Sequence, residues 1–182
     1  SSNWVRQTVA AARKLGMEAV VVLEGEPPKG DLQGNLLLDH LMGAELRYEP
    51  NVPQDVEDLE IQGVFPITGK IAEEYRSKGR HPVLMPLGGA TPVGNLGYIN
   101  AVDELGDQLK ELGVKADYVI AATGTGGTQA GIECGLRLSG MDTKMLGISV
   151  SYHTRPKEEE VAELCNATMD FLGCGERFTA DQ

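Results

Sequence analysis

"ADYVIAATGTGGTQAG", residues 116–131, is the stretch on which the reading of this chain turns. It opens as a short apolar strand. It then packs four glycines and three threonines into the ten residues Ala122–Gly131. Glycine allows positive φ and lets backbone come close to a ligand. The following "TQAGIECGLRLSG" (128–140) has the spacing of a helix. Strand, glycine turn and helix in that order form the place where parallel α/β proteins hold anions, at a strand's carboxyl end and a helix's N-terminus. Backbone amides from Thr123, Gly124, Thr125, Gly126, Gly127 and Thr128 can converge there, and three hydroxyls stand beside them. This suits a phosphate monoester without a metal ion.

Two common phosphate signatures fail. No Lys follows the glycines, so the triphosphate loop is absent. Gly124 and Gly126 supply a G-x-G, but position 129 is Gln and no acidic residue ends a strand about 20 residues on, so the dinucleotide fingerprint is absent too. The competing reading is a tight turn with small residues for packing and no ligand. The threonines and the second small-residue turn, "GGAT" at 88–91, favour a ligand.

Outward from this stretch, helix and strand alternate. "NWVRQTVAAARKLG" (3–16) puts Val5, Val9 and Ala12 on one face, with Gly16 suited to the C-cap. "EAVVVLE" is a continuous apolar strand of the kind buried on both faces. "GNLLLDHLMG" reads as a helix closed by Gly43, and "AELRYE" as a strand. Residues 49–66 are acidic with three prolines and read as a loop. A helix follows over 68–79 with Thr68 as N-cap, then a strand "HPVLMPL" (81–87), a glycine-rich turn (88–97), and a helix with Tyr98, Val102, Leu105, Leu109 and Leu112 on one stripe. "KMLGISVS" is a further strand. The last helix places Glu158, Glu159 and Glu160 in its first turn, where the helix dipole favours them. The expected class is α/β: parallel sheets with helices on both faces, divided near residue 90 into two subdomains, 1–90 and 91–182.

The chain has 182 residues and a net charge of -11. No basic stretch is long enough to neutralise a polynucleotide, so nucleic acid is not an expected partner. No run reaches the length of a membrane span, and no leader pattern is present. Cys134, Cys165 and Cys174 are odd in number and lack C-x-x-C spacing, so free thiols in a reducing cytoplasm are expected rather than a disulfide framework or a zinc site. His40, His81 and His153 are scattered without metal-ligand spacing, and no metal is expected.

Four segments carry a family resemblance: "SSNWVRQTVAAARKLG", "GNLLLDHLMGAEL", "PLGGATPVGNLGYINAVDEL" and "ATGTGGTQAG". Together and in this order, they resemble the pyridoxal-phosphate enzymes grouped as D-cysteine desulfhydrases and 1-aminocyclopropane-1-carboxylate deaminases. The resemblance implies the fold type II architecture, in part, related to the tryptophan synthase β subunit. Residues 1–90 would form the small subdomain and 91–182 part of the large, cofactor-binding one. It implies pyridoxal 5'-phosphate as cofactor, with Thr123–Thr128 around its phosphate and Asn3 on its phenolic oxygen. Ser2, Asn3 and Trp4 would face a small amino-acid substrate, and the enzyme would be a homodimer. Trp4 stands where this family usually has His or Gln, which leaves the substrate open: "GGATPVGNLGY" resembles the desulfhydrase version of that turn more and puts D-cysteine first, with 1-aminocyclopropane-1-carboxylate, L-cysteate and other small β-substituted amino acids as alternatives.

The lysine that joins the cofactor covalently would precede Ser2 by about two dozen residues in such an enzyme. Lys14, Lys78, Lys110 and Lys157 read as solvated helix charges, and Lys29, Lys70, Lys115 and Lys144 lie in loops or at element ends. The catalytic lysine is therefore not expected within this chain, which reads as the middle of a longer protein. The alternative is a non-catalytic α/β module that binds a phosphorylated ligand.

Overall fold

The computed structural model describes residues 2–49, 66–150 and 156–181. Residues 50–65 of the loop expected over 49–66, and His153, lie outside them, while Glu49 and Pro66 belong to a strand and a helix. The described chain forms two compact units, Ser1–Gly88 and Gly89–Gln182.

The first unit opens with α1 (Asn3–Lys14), whose N-cap Ser2 accepts the Val5 amide on Oγ at 3.1 Å. Gly16 ends it at φ +75°, with its amide on Arg13 and the Met17 amide on Ala12, so the expected glycine stop is present. β1 (Val20–Glu24) pairs in parallel with β2 (Glu45–Glu49), with Val21 opposite Leu46, and α2 (Gly34–Leu41) lies between them in the chain. Val9, Val21 and Ala44 form the buried core, flanked by Val5, Leu23 and Leu46. α3 (Pro66–Ser77) already runs at Pro66, so Thr68 lies inside it and is not its N-cap. Proline fits a helix's first turn because its missing N–H would have no partner there. Arg47 joins β2 to α3 through a fork onto Glu74, at 2.6 and 3.1 Å.

The strand expected at 81–87 does not form. Pro82 and Pro86 have no N–H to donate, and among the described residues β1 pairs only with β2. Val83 is 81% exposed. Residues 82–87 instead form one wall of an apolar groove of about 880 Å³, whose other walls come from α1, β1 and α3. Apolar content alone does not make a strand; a ladder neighbour is needed as well.

The second unit follows a single 3-10 turn, Leu87–Gly89. α4 (Pro92–Leu112) starts six residues before the expected Tyr98, because Thr91 caps it by accepting the Gly94 amide on Oγ1 at 3.0 Å and Pro92 takes the first position. β3 (Tyr118–Thr123) pairs in parallel with β4 (Lys144–Ser149), and α5 (Gly127–Ser139) connects them. α6 (Lys157–Leu172) completes the unit. Ile99, Ala130, Cys134, Cys165 and Met169 pack at the α4–α5–α6 core, and Val102, Ile132, Leu136 and Met145 pack beside β4.

Gly127, Gly131 and Gly135 repeat every four residues and give α5 a flat face toward α4. A Cβ on Gly131 would lie 2.9 Å from the Asn95 carbonyl oxygen, and one on Gly135 would lie 2.8 Å from Val102 Cβ. The buried residues of α4 are accordingly Asn95, Ile99 and Val102. Tyr98, expected in the core, is 42% exposed.

The class is α/β with parallel ladders, as expected. There are four strands among the described residues rather than five. Ile120 and Ile148 remain exposed on one face of the β3–β4 pair. All three cysteines are free. No helix among the described residues is long and apolar enough to cross a membrane, and no cluster of metal-ligating side chains occurs there.

Candidate functional site

Residues 122–129 enclose a small cavity of about 40 Å³ at the end of β3. A single water needs about 10–15 Å³ on this measure, so the space has room for a tetrahedral anion. Gly126 stands at φ +86° as the N-cap of α5, and no side chain caps that end. The first helical bond runs from the Ala130 amide to the Gly126 carbonyl, at 2.8 Å. The amides of Gly127, Thr128 and Gln129 precede it and have no partner within the helix. They meet the positive end of the helix dipole at the cavity.

The cup is held from behind. Thr123, 2% exposed, donates its hydroxyl to Gln129 Oε1 at 2.8 Å. That proton is thus committed to the frame of the loop, while Thr125 is exposed and Thr128 half-buried. Gly147 of β4 makes the bond possible, since a Cβ there would fall 1.9 Å from Gln129 Oε1. At Gly127 a Cβ would come within 3.1 Å of Ala90 Cα. The "GGAT" turn is therefore the wall behind the glycine loop. Val161 of α6 closes on Gly126, with 3.2 Å between Val161 Cγ2 and a Cβ placed there.

The expected cup residues, Thr123, Gly124, Thr125, Gly126, Gly127 and Thr128, are therefore brought together at one cavity. Ser2, Asn3 and Trp4 belong to the other unit. Ser2 is engaged as the cap of α1. Asn3 accepts from Asn35 Nδ2 on Oδ1 at 2.9 Å, which turns its own amide N–H group away from Asn35. Trp4 is half-buried and lines the apolar groove. Lys157, read from sequence as solvated, keeps only 12% of its side chain exposed and pairs with Glu160. Gln129, Gly147, Asn95 and Asn35 went unnoticed as site residues. A lone Gln or Asn carries no motif, and the contact of Gly147 with Gln129 is visible only once β4 lies beside β3.

A model of the family described as pyridoxal-phosphate dependent enzyme matches residues 1–181. The chain belongs to this family. Members of the pyridoxal-phosphate-dependent enzymes use pyridoxal 5'-phosphate, a phosphate monoester. A Pyrococcus furiosus protein named "Putative 1-aminocyclopropane-1-carboxylate deaminase" is 39% identical over 172 residues, covering 94% of this chain and 49% of that protein. The 1-aminocyclopropane-1-carboxylate deaminase of Burkholderia cenocepacia is 32% identical over 179 residues, covering 96% and 51%. Among solved structures, an ACC deaminase homologue superposes with a TM-score of 0.82 at 35% identity, covering 98% of this chain and 51% of that one. A T.th. threonine deaminase gives 0.57 at 26% identity, covering 87% and 45%. The chain thus spans about half the length of these pyridoxal-phosphate-dependent relatives.

Proposed function

We propose that this chain supplies the phosphate cup and the substrate-carboxylate end of a pyridoxal-phosphate-dependent lyase or deaminase acting on a small amino acid. The observation that carries the reading is the 40 Å³ cavity at residues 122–129, with three helix-terminal amides around it. It fits the cofactor's phosphate in size, in charge and in its lack of any metal-ligand cluster among the described residues. When bound, the cofactor's ring accepts the electron pair released at the amino acid's α or β carbon.

In this reading the amides of Gly127, Thr128 and Gln129 and the hydroxyls of Thr125 and Thr128 hold the phosphate, and Thr123 and Gln129 keep the loop in shape. Asn3, with its oxygen taken by Asn35, offers its amide N–H group to the cofactor's phenolic oxygen. Ser2 and the α1 N-terminus beside it attract the substrate carboxylate through the helix dipole. Trp4 sets the shape of the substrate space. The lysine that engages the cofactor's aldehyde is supplied from outside residues 1–182. D-cysteine is the favoured substrate, since "GGATPVGNLGY" is closer to the desulfhydrase version of that turn. With water it would yield pyruvate, ammonia and hydrogen sulfide. 1-Aminocyclopropane-1-carboxylate, giving a 2-oxo acid and ammonia, is the runner-up. The whole enzyme is a cytoplasmic homodimer in this reading.

The test has two arms. The chain is titrated with pyridoxal 5'-phosphate, with pyridoxal and with NAD, following the ³¹P resonance and tryptophan fluorescence. Binding of the phosphorylated vitamin alone supports the cup. Equal binding of pyridoxal, or binding of NAD alone, overturns it. The longer protein is then assayed for 2-oxo acid release from each amino acid. Cofactor binding without turnover of any small amino acid would instead support the non-catalytic module.

A further inference from the structure

Asn95 is 1% exposed and lies in the first turn of α4, against the start of α5. Its carboxamide fits the site with either end toward Thr168. In one, Nδ2 donates to Thr168 Oγ1 at 2.8 Å and the amide oxygen faces the carbonyl oxygens of Thr91 and Gly127, acceptor against acceptor. In the other, Nδ2 donates to the Gly127 carbonyl at 3.0 Å and the Thr91 carbonyl at 3.3 Å, and Oδ1 accepts from Thr168 at 2.8 Å. The second leaves Thr168 Oγ1 2.7 Å from the Leu164 carbonyl without a proton between them, one such contact in place of two. A buried amide with both of its ends matched is much the cheaper arrangement, so the second orientation is the one that holds.

Asn95 then grips the carbonyl of the first residue of α5. The Gly127 carbonyl and the Thr128 amide share one rigid, planar peptide. Fixing the oxygen on the α4 side fixes the N–H on the opposite side, toward the cup. Gly127 has no side chain to anchor it, and Ala90 already fills the space where one would go. The amide is thus the polar tie from α4 to this peptide.

We propose that Asn95 is a positioning residue for the phosphate cup, aiming the Thr128 N–H through the Gly127 carbonyl. This deepens the proposed function and rests on it. Thr168 has a different part, since it orients Asn95 without touching the loop.

Two variants separate the roles. Asn95→Asp keeps an oxygen for Thr168 but loses both donors. Thr168→Val loses a bond to Asn95 and leaves its donors in place. Inorganic phosphate and pyridoxal 5'-phosphate are the probes, with unfolding curves and the ¹H–¹⁵N signals of Gly127 and Thr128 recorded on the same samples. N95D is expected to weaken phosphate binding by roughly tenfold or more and to shift the Thr128 amide signal in the ligand-free chain. T168V is expected to lower stability while leaving phosphate affinity and the Thr128 signal close to wild type. Should N95D not fold, Asn95→Ala takes its place.

Equal losses of affinity in both variants, or an unmoved Thr128 signal in N95D, would overturn the proposal. If the wild-type chain binds neither probe, the proposed function fails, and the Thr128 signal in the ligand-free variants still decides the part played by Asn95.

Discussion

Gln129 Oε1 accepts a hydrogen bond from the Thr123 hydroxyl at 2.8 Å, across the turn that lines the cavity. Gly147 leaves the room for it. Replacing Gly147 with Ala would drive a methyl to 1.9 Å from Gln129 Oε1 and 2.6 Å from Thr123 Oγ1. The Gln129 side chain can swing clear of it, so the cost is the lost Thr123–Gln129 bond, about 0.5–1.5 kcal/mol. G147A is expected to lose that stability in urea unfolding and to bind phosphate more weakly than wild type. Unchanged affinity in a folded G147A would show that Gln129 does not shape the cup.

The glycine face of α5 makes a second prediction, with its own control. Gly131→Ala places a methyl 2.6 Å from Tyr98 Cβ and 2.9 Å from the Asn95 carbonyl oxygen. The two helices must part, at about 1–3 kcal/mol. Gly97 sits in α4 with nothing within 4 Å of a Cβ, so Gly97→Ala is expected to add about 0.4–1 kcal/mol by restricting the unfolded chain. Chemical denaturation of both variants checks the opposite signs.

The fork from Arg47 holds the Glu74 carboxyl down at about 2, with Lys78 adding to the effect. A carboxylate with a lowered folded-state pKa contributes stability above its ordinary value near 4.5, and that contribution disappears as pH falls toward 2. The advantage of wild type over Glu74→Gln should therefore be present at neutral pH and shrink across that window. The pair is substantially exposed, so added salt should also reduce the advantage. Unfolding curves of both proteins between neutral and acid pH provide the measurement.

Thiol labelling should follow burial. Cys134 and Cys165 are 0% and 1% exposed, while Cys174 is half-buried. The hydrogen bond with the Cys134 sulfur, and then burial, push the Cys165 thiol well up, which keeps it in the unreactive protonated form. A maleimide should modify Cys174 first in the native chain and all three cysteines in denaturant, as read by mass spectrometry of the peptides. Rapid native labelling of Cys165 would contradict the α5–α6 packing.

The apolar groove and the open face of β3–β4 predict the behaviour of the 182-residue chain on its own. Val83, Ile120 and Ile148 are 81%, 64% and 55% exposed, and exposed apolar patches of this kind drive association. The chain is expected to bind an apolar fluorescent dye and to self-associate with rising concentration. Val83→Lys and Ile120→Lys should reduce both without lowering the unfolding midpoint. Light scattering and dye titration test this directly.

The sequence by itself determined the alternation of elements, the glycine stops at Gly16 and Gly43, and the glycine turn at 123–128. Each of these is written within a few neighbouring residues: a period, a cap, a turn that needs positive φ. Tertiary structure alone decided the rest. The run 81–87 looks like a strand, but two prolines and the lack of a ladder neighbour left it outside a sheet. The start of α4 at Pro92 is the exception, since the Thr91 cap and Pro92 are a local signal inside a stretch whose glycines read as a turn. Asn95 and Gly147 are ordinary residues in the sequence, and their meaning comes from Gly127 and Gln129, which lie far off along the chain. Local conformation is set by short-range sterics and is legible in order. Contact between distant residues depends on how the elements pack, and no residue announces its partner in advance.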